Sequence, residues 1–168
     1  MVIWIIGKSG VGKTTVGRLI YKELKKKEKN TFFLDGDEVR KIWGKNLGHS
    51  LKGRRLNATY IFKLCEILDK QKINVVCCIV SIFPDLQRKA KKTYKNFFLT
   101  YLKAPINVLR KSRDKKKIYR NFFLKKIKNV VGIDIPFPKP HKPNLTINSY
   151  GKNSPEKIKN KICKKLKI

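Results

Sequence analysis

Short runs that are apolar at every position alternate along the chain with longer stretches that are apolar at every third or fourth. Val2 to Ile6 is the first continuous run, the pattern of a parallel strand buried on both faces. A glycine-rich loop follows, then a segment with Val16, Leu19, Ile20 and Leu24 on one helical face. Thr31 to Leu34 predicts a second strand, and Asp35, Gly36 and Asp37 a turn into a short helix near Glu38 to Lys45. Tyr60, Ile61, Leu64, Cys65 and Leu68 build one face of a helix from about Arg54 to Lys70. Ile73 to Val80 is the most apolar run and predicts a central strand.

Pro84 to Tyr94 reads as a helix with proline in its first turn, Phe97 to Leu102 as a fourth strand, and Pro105 to Arg113 as another helix. Leu145 to Asn148 supplies a fifth strand, and Ile158, Ile162 and Leu166 repeat at helical spacing in a closing helix. Between them, Asp114 to Lys128 is strongly basic and Val130 to Pro143 is proline-rich without periodicity. Such segments suit a mobile lid and a surface loop over a site. Strands alternating with helices imply an α/β chain with a mostly parallel five-stranded sheet flanked by helices in three layers.

Composition narrows the partners. The 168 residues, 41% of them apolar, predict one domain spanning 1–168, and 42 Lys and Arg against 11 Asp and Glu give a formal charge of +31. Anionic partners follow, with nonspecific polyanion adhesion at low salt through counterion release. The lysines are spread over almost every element and no aromatic and basic RNA-binding signature is present. A specific nucleic-acid reader that uses ATP is therefore a minor alternative. No apolar run approaches the ~18 residues of a membrane span, so the expectation is a soluble cytoplasmic protein without membrane contact. Cys65, Cys77, Cys78 and Cys163 lack metal-ligand or C-x-x-C spacing and read as buried thiols, with Cys77 and Cys78 on opposite strand faces.

The chemistry begins at Gly7-Lys8-Ser9-Gly10-Val11-Gly12-Lys13-Thr14, which fits G-x-x-x-x-G-K-[ST] between a strand and a helix. Its glycines let backbone N–H groups turn around phosphate oxygens, Lys13 reaches the β and γ phosphates, and Thr14, followed by Thr15, can ligate Mg²⁺. The chain is thereby placed in the P-loop NTPase fold, with ATP and Mg²⁺ as cofactors. A short chain without the N-K-x-D guanine signature suits a small-molecule kinase whose lid excludes water. Asp35 and Asp37 sit at the carboxyl end of the second strand, where open α/β sheets bind ligands. A carboxylate there can orient or deprotonate an acceptor hydroxyl while another helps position hydrated Mg²⁺.

GKSGVGKTT, then LDGDEVR, LGHSLKGRRLN, a strand ending in Ser81, Arg113-Asp114 with Tyr119, and GIDIPF followed by prolines come in an order that resembles adenylylsulfate kinase, from Ile3 to about Ile147. The resemblance implies transfer of the γ-phosphate of MgATP to the 3′-hydroxyl of adenosine 5′-phosphosulfate; relatives are often dimers, which leaves a homodimer open for this chain. It makes Lys13, Asp37 and Asp35 catalytic and puts Arg40 on the phosphosulfate. Arg54 and Asn57 would hold the acceptor nucleotide, with Ser81 a strand-end hydroxyl near it, Arg113 on the ATP base or phosphates, and Lys116 reaching in from the lid. Arginine forks match phosphate and sulfate oxygens, and only eight of the 42 cations are arginine.

The departures fall on the acceptor side. The family commonly clamps the acceptor adenine between two phenylalanines, where this chain has His49 and Val130. His49 can still stack; Val130 offers an apolar edge, and each base–aromatic stack is worth ~1 to 3 kcal/mol. The lid reads DKKKIY where the family often has D-P-K-G-L-Y, which puts Lys117 on a glycine position. Ile135 replaces a common acidic residue, and Lys139 and Lys142 lie in a loop that is usually more acidic. A kinase acting on another anionic hydroxyl compound is accordingly the principal alternative acceptor reading.

Overall fold

The computed structural model describes residues 1–43 and 47–168. In chain order the elements are β1 (Val2–Ile6), α1 (Lys13–Lys27), β2 (Thr31–Asp35), α2 (Gly36–Ile42), α3 (Leu51–Lys70), β3 (Asn74–Ile79), α4 (Pro84–Thr93), β4 (Phe97–Lys103), α5 (Ile106–Ser112), α6 (Ile118–Phe123), β5 (Leu145–Asn148) and α7 (Pro155–Leu166). The five strands are all parallel in the order β2-β3-β1-β4-β5. Parallel pairing puts every strand's carboxyl end on one edge of the sheet, so the loops after β1, β2, β3 and β4 meet there.

The uninterrupted apolar run of β1 follows from its central place: all five residues are buried, from 0% to 1% exposed. Alternate side chains face opposite layers. Ile3, Ile5, Val76 and Cys78 pack with Val16 and Ile20 of α1 and Ile158 and Ile162 of α7. Val2, Trp4, Ile6, Val75 and Cys77 pack with Ile61, Phe62 and Cys65 of α3 and Ala90 of α4. Cys77 and Cys78 thus serve different layers, and all four thiols are buried. Among the described residues no helix is long and apolar enough to cross a membrane.

Three local features differ from the sequence expectation. α3 begins at Leu51 rather than Arg54, because the Ser50 hydroxyl caps it by accepting from Gly53 N at 3.2 Å. The extra turn has no apolar periodicity to announce it. The basic segment read as a lid contains α6, whose Tyr119 is 1% exposed. Lys45, the expected end of the helix after β2, lies outside the described residues; the helix ends at Ile42.

Candidate active site

The loop between β1 and α1 closes against backbone. A side chain at Gly10, where φ is +78°, would bring a Cβ within 2.9 Å of the Arg113 carbonyl oxygen. Glycine is required there both for the left-handed backbone and for the contact. Lys13 opens α1 and folds its ammonium back to donate to the Lys8 carbonyl at 2.8 Å. Thr14 Oγ1 donates to Asp35 Oδ2 at 2.6 Å, while Asp35 Oδ1 accepts from Asp37 N at 2.9 Å and so caps α2. Asp35 therefore joins the phosphate loop to the start of α2.

Asp37 stands beyond that cap with 58% of its side chain exposed and receives Lys116 from the segment between α5 and α6. Burial alone would raise its carboxyl, but the hydrogen bond and charge of Lys116, with Lys13 and Arg40 nearby, hold it below the usual carboxylate range. The Lys116 ammonium is raised in return by its hydrogen bond to Asp37. Burial lowers Lys13 to about 8 against the opposing pull of Cys78, Asp37 and Asp35. Burial, reinforced by the charges of Arg40 and Arg54, lowers His49 and keeps its imidazole neutral near pH 7.

The two arginines on the acceptor side are held by carbonyl oxygens. Arg40 donates to Gly48 O, and Arg54 donates from Nε to His49 O at 2.9 Å and from Nη2 to Asn129 O at 2.7 Å. The 47–50 loop can lie this close to α3 only because residue 53 is glycine: a Cβ there would sit 1.6 Å from Leu47 O. Asp134 fixes the opposite wall, accepting from Asn129 N at 2.6 Å and from Val130 N. Asn57 donates to Gly36 O at 3.3 Å, and Arg113 donates to Ser149 O.

Of the catalytic, nucleotide-binding and acceptor-binding residues expected from the sequence, all but Gly7, Lys8 and Ser81 line one cavity of about 630 Å³. That volume is ordinary for a small-molecule site. Ser81 is 3% exposed, and its hydroxyl accepts from Gln87 Nε2 at 3.1 Å away from the cavity wall. Val130 borders the cavity but is 4% exposed and packed among the core residues around α1 and α7. It presents an edge rather than a face. His49 is exposed at the opposite wall.

Gln87 has no counterpart among the residues expected from the sequence. It is 2% exposed, and besides Ser81 its Oε1 accepts from His141 N at 2.7 Å, which ties α4 to the proline-rich loop. A polar residue in a lysine-rich helix gives no signal of burial. The role of Tyr119 was also silent: its hydroxyl donates to Ser9 O at 2.9 Å.

A glycine-rich loop opening a helix at the carboxyl edge of a 2-3-1-4-5 parallel sheet, beside a carboxylate pair and a basic lid, defines a P-loop kinase. The chain belongs to the adenylylsulphate kinase family, whose model it matches over residues 1–148. It is 36% identical over 167 residues to a cytidine diphosphoramidate kinase of Campylobacter jejuni, covering 99% of this chain and 96% of that one. To an adenylyl-sulfate kinase of Clostridium acetobutylicum it is 34% identical, covering 99% and 82%. An adenylylsulfate kinase structure from Mycobacterium tuberculosis, solved with AMPPNP and APS, superposes with a TM-score of 0.85 at 24% identity and covers 99% of this chain and 97% of that one. The family uses ATP with Mg²⁺, and the residues present fit both. Thr14 and Asp35 offer adjacent hard oxygens, and Mg²⁺ in nucleotide sites takes one or two carboxylates together with phosphate oxygens.

Proposed function

We propose that the chain transfers the γ-phosphate of ATP to the ribose 3′-hydroxyl of cytidine diphosphoramidate. The observation that carries this reading is the acceptor wall without a pair of large aromatic faces: the small imidazole of His49 is the one ring at the two clamp positions, and the Val130 side chain is turned into the core. A purine depends more on stacking area than a single-ring pyrimidine, so the missing faces penalise adenine more than cytosine. The relative acting on cytidine diphosphoramidate, matched over nearly the full length of both chains, supports the same choice.

Lys13 would follow the charge growing on the transferred group, and Asp37, ionised at neutral pH, would orient the hydroxyl and take its proton. The acceptor oxygen forms the new P–O bond as the bond between the γ-phosphorus and the β–γ bridging oxygen breaks, leaving ADP. Arg40 and Arg54 would meet the anionic 5′ tail, Asn57 the nucleoside, and Arg113 the ATP. Thr14 and Asp35 would hold Mg²⁺, which neutralises phosphate charge when bound.

The second reading is adenylylsulfate as acceptor, giving 3′-phosphoadenylyl sulfate. Asp37, Arg40, Arg54 and Asn57, all lining the cavity, favour it, as does the Clostridium relative. The test is purified protein with MgATP and each acceptor in turn, with ADP and phosphorylated product quantified. The expected result is a kcat/KM at least about tenfold higher for cytidine diphosphoramidate, the equivalent of roughly 1.4 kcal/mol. A preference for adenylylsulfate would install the second reading, and turnover of neither would overturn both.

A further inference from the structure

We infer that Tyr119 is a positioning residue for the ATP phosphates: from α6, its hydroxyl sets the direction of the Ser9–Gly10 peptide in the phosphate loop. Tyr119 is 1% exposed and donates to Ser9 O at 2.9 Å, a contact spanning 110 residues of chain. A trans peptide points its C=O and N–H in opposite directions. Holding Ser9 O toward α6 therefore turns the Gly10 N–H away from α6, and since Ser9 and Gly10 both line the cavity, that N–H is available to a phosphate oxygen bound there.

The peptide needs such a holder because Gly10, at φ +78°, accepts either peptide orientation at little cost. Lys13, which now grips the neighbouring Lys8 carbonyl, is released from that duty when it reaches phosphate. The Tyr119 bond involves no group that leaves for the ligand. Its own support is local: Asp114 Oδ2 accepts from Arg120 N at 2.8 Å, and Asp114 O accepts from Lys117 N at 2.9 Å. Gly10 also lies against the Arg113 backbone. Burial pushes the Tyr119 phenol up to about 12, so it remains a donor throughout the neutral range. The docking of α6 thereby sets ATP affinity without touching the nucleotide, and the inference is independent of which acceptor is used.

Titration calorimetry of the whole chain with Mg·AMPPNP, comparing the parent with Tyr119→Phe, tests this. The ring and its packing remain, and loss of one hydrogen bond is expected to weaken binding about three- to tenfold. In turnover assays the KM for ATP rises by the same factor, while kcat and the acceptor KM at saturating ATP stay within twofold. A folded Tyr119→Phe with parental AMPPNP affinity overturns the inference, as does an equal rise in the acceptor KM, the mark of a general structural defect. Should that variant not fold, Asp114→Glu decides: it keeps the charge but displaces the cap at Arg120 N. About twofold weaker AMPPNP binding supports the inference and unchanged binding overturns it.

Discussion

The two ends of the cavity are built on different principles. The donor end comes from eight consecutive residues, 7–14, and its chemistry lies mainly in backbone direction, so a glycine such as Gly10 cannot be exchanged without striking Arg113. The acceptor end gathers side chains from β2 and α2, the 47–50 loop, α3, the lid and the 129–131 segment, and it holds its arginines with carbonyl oxygens. Backbone chemistry serves any nucleoside triphosphate and leaves little to vary. A wall of side chains can be retuned one residue at a time, which is where His49 and Val130 depart from the family pattern.

The largest effect is expected at the donor end. Lys13→Ala should leave the fold intact and reduce kcat by about a hundredfold or more, the scale for removing a group aimed at developing charge. Loss of less than threefold would break the assignment. In the ligand-free protein the Lys13 ammonium titrates at about 8, and kcat/KM reports free-enzyme groups. Since the charged form is the useful one, kcat/KM for ATP should fall as pH rises through 8. At saturating ATP the bound phosphates favour the ammonium, so the fall in kcat should come at higher pH.

Asp37→Asn tests the boundary between the two ends. Removing a group that orients or accepts a proton typically costs 10²- to 10⁴-fold, and because the Asp37 carboxyl is held low, the lower end, about a hundredfold in kcat, is expected. The KM for ATP should stay near the parent value, as Thr14 and Asp35 are untouched. Since the depressed carboxyl stays ionised well into acid, no loss of activity from Asp37 is expected between pH 6 and 8. A parental kcat at saturating acceptor would remove Asp37 from the chemistry.

The donor end was legible in the sequence because its requirements are contiguous: four fixed positions, a strand before and a helix after. The central strands β1 and β3 were legible for a similar reason, since burial on both faces leaves runs such as Val2–Ile6 with no polar interruption, whereas the edge strands β2 and β5 keep exposed positions and polar residues. The acceptor end was legible only as a set of residues. That Val130 packs in the core, that Ser81 is bound to Gln87 instead of facing the cavity, and that Arg54 spans from α3 to Asn129 are products of tertiary packing. No local pattern encodes them. α6 was hidden by its basic neighbours, whose charges mask a one-and-a-half-turn helix anchored by Tyr119.

A smaller effect sharpens the acceptor side. His49→Phe enlarges the stacking face at an exposed wall, and about 1 kcal/mol, roughly fivefold in KM, is expected in favour of adenylylsulfate over cytidine diphosphoramidate. Val130→Phe should not repeat this gain. At 4% exposure the larger ring overpacks the core, with a cost of about 1 to 3 kcal/mol visible as a lower Tm. A lower acceptor KM in Val130→Phe with an unchanged Tm would mean that the wall opens more readily than its packing implies.

The smallest effect belongs to the lid, between the two ends. Lys117 stands where the family often has glycine, and its backbone keeps the left-handed conformation that glycine favours, with φ 53° and ψ 25°. A side chain in that region costs ~1 to 2 kcal/mol, and glycine gives back ~0.5 to 1 kcal/mol through the greater entropy it loses on folding. Lys117→Gly should therefore stabilise the chain by up to about 1 kcal/mol, a Tm rise of roughly 1 to 4 °C for a chain of this size. The Lys117 side chain is exposed, and its N–H keeps the bond to Asp114 O in either residue. The substitution thus changes little besides the turn, and ATP affinity should hold because the contact of Tyr119 with Ser9 is preserved. A lower Tm would show that the entropy of the added glycine outweighs the relief at φ 53°, and that the lid of this chain has adapted to its lysine.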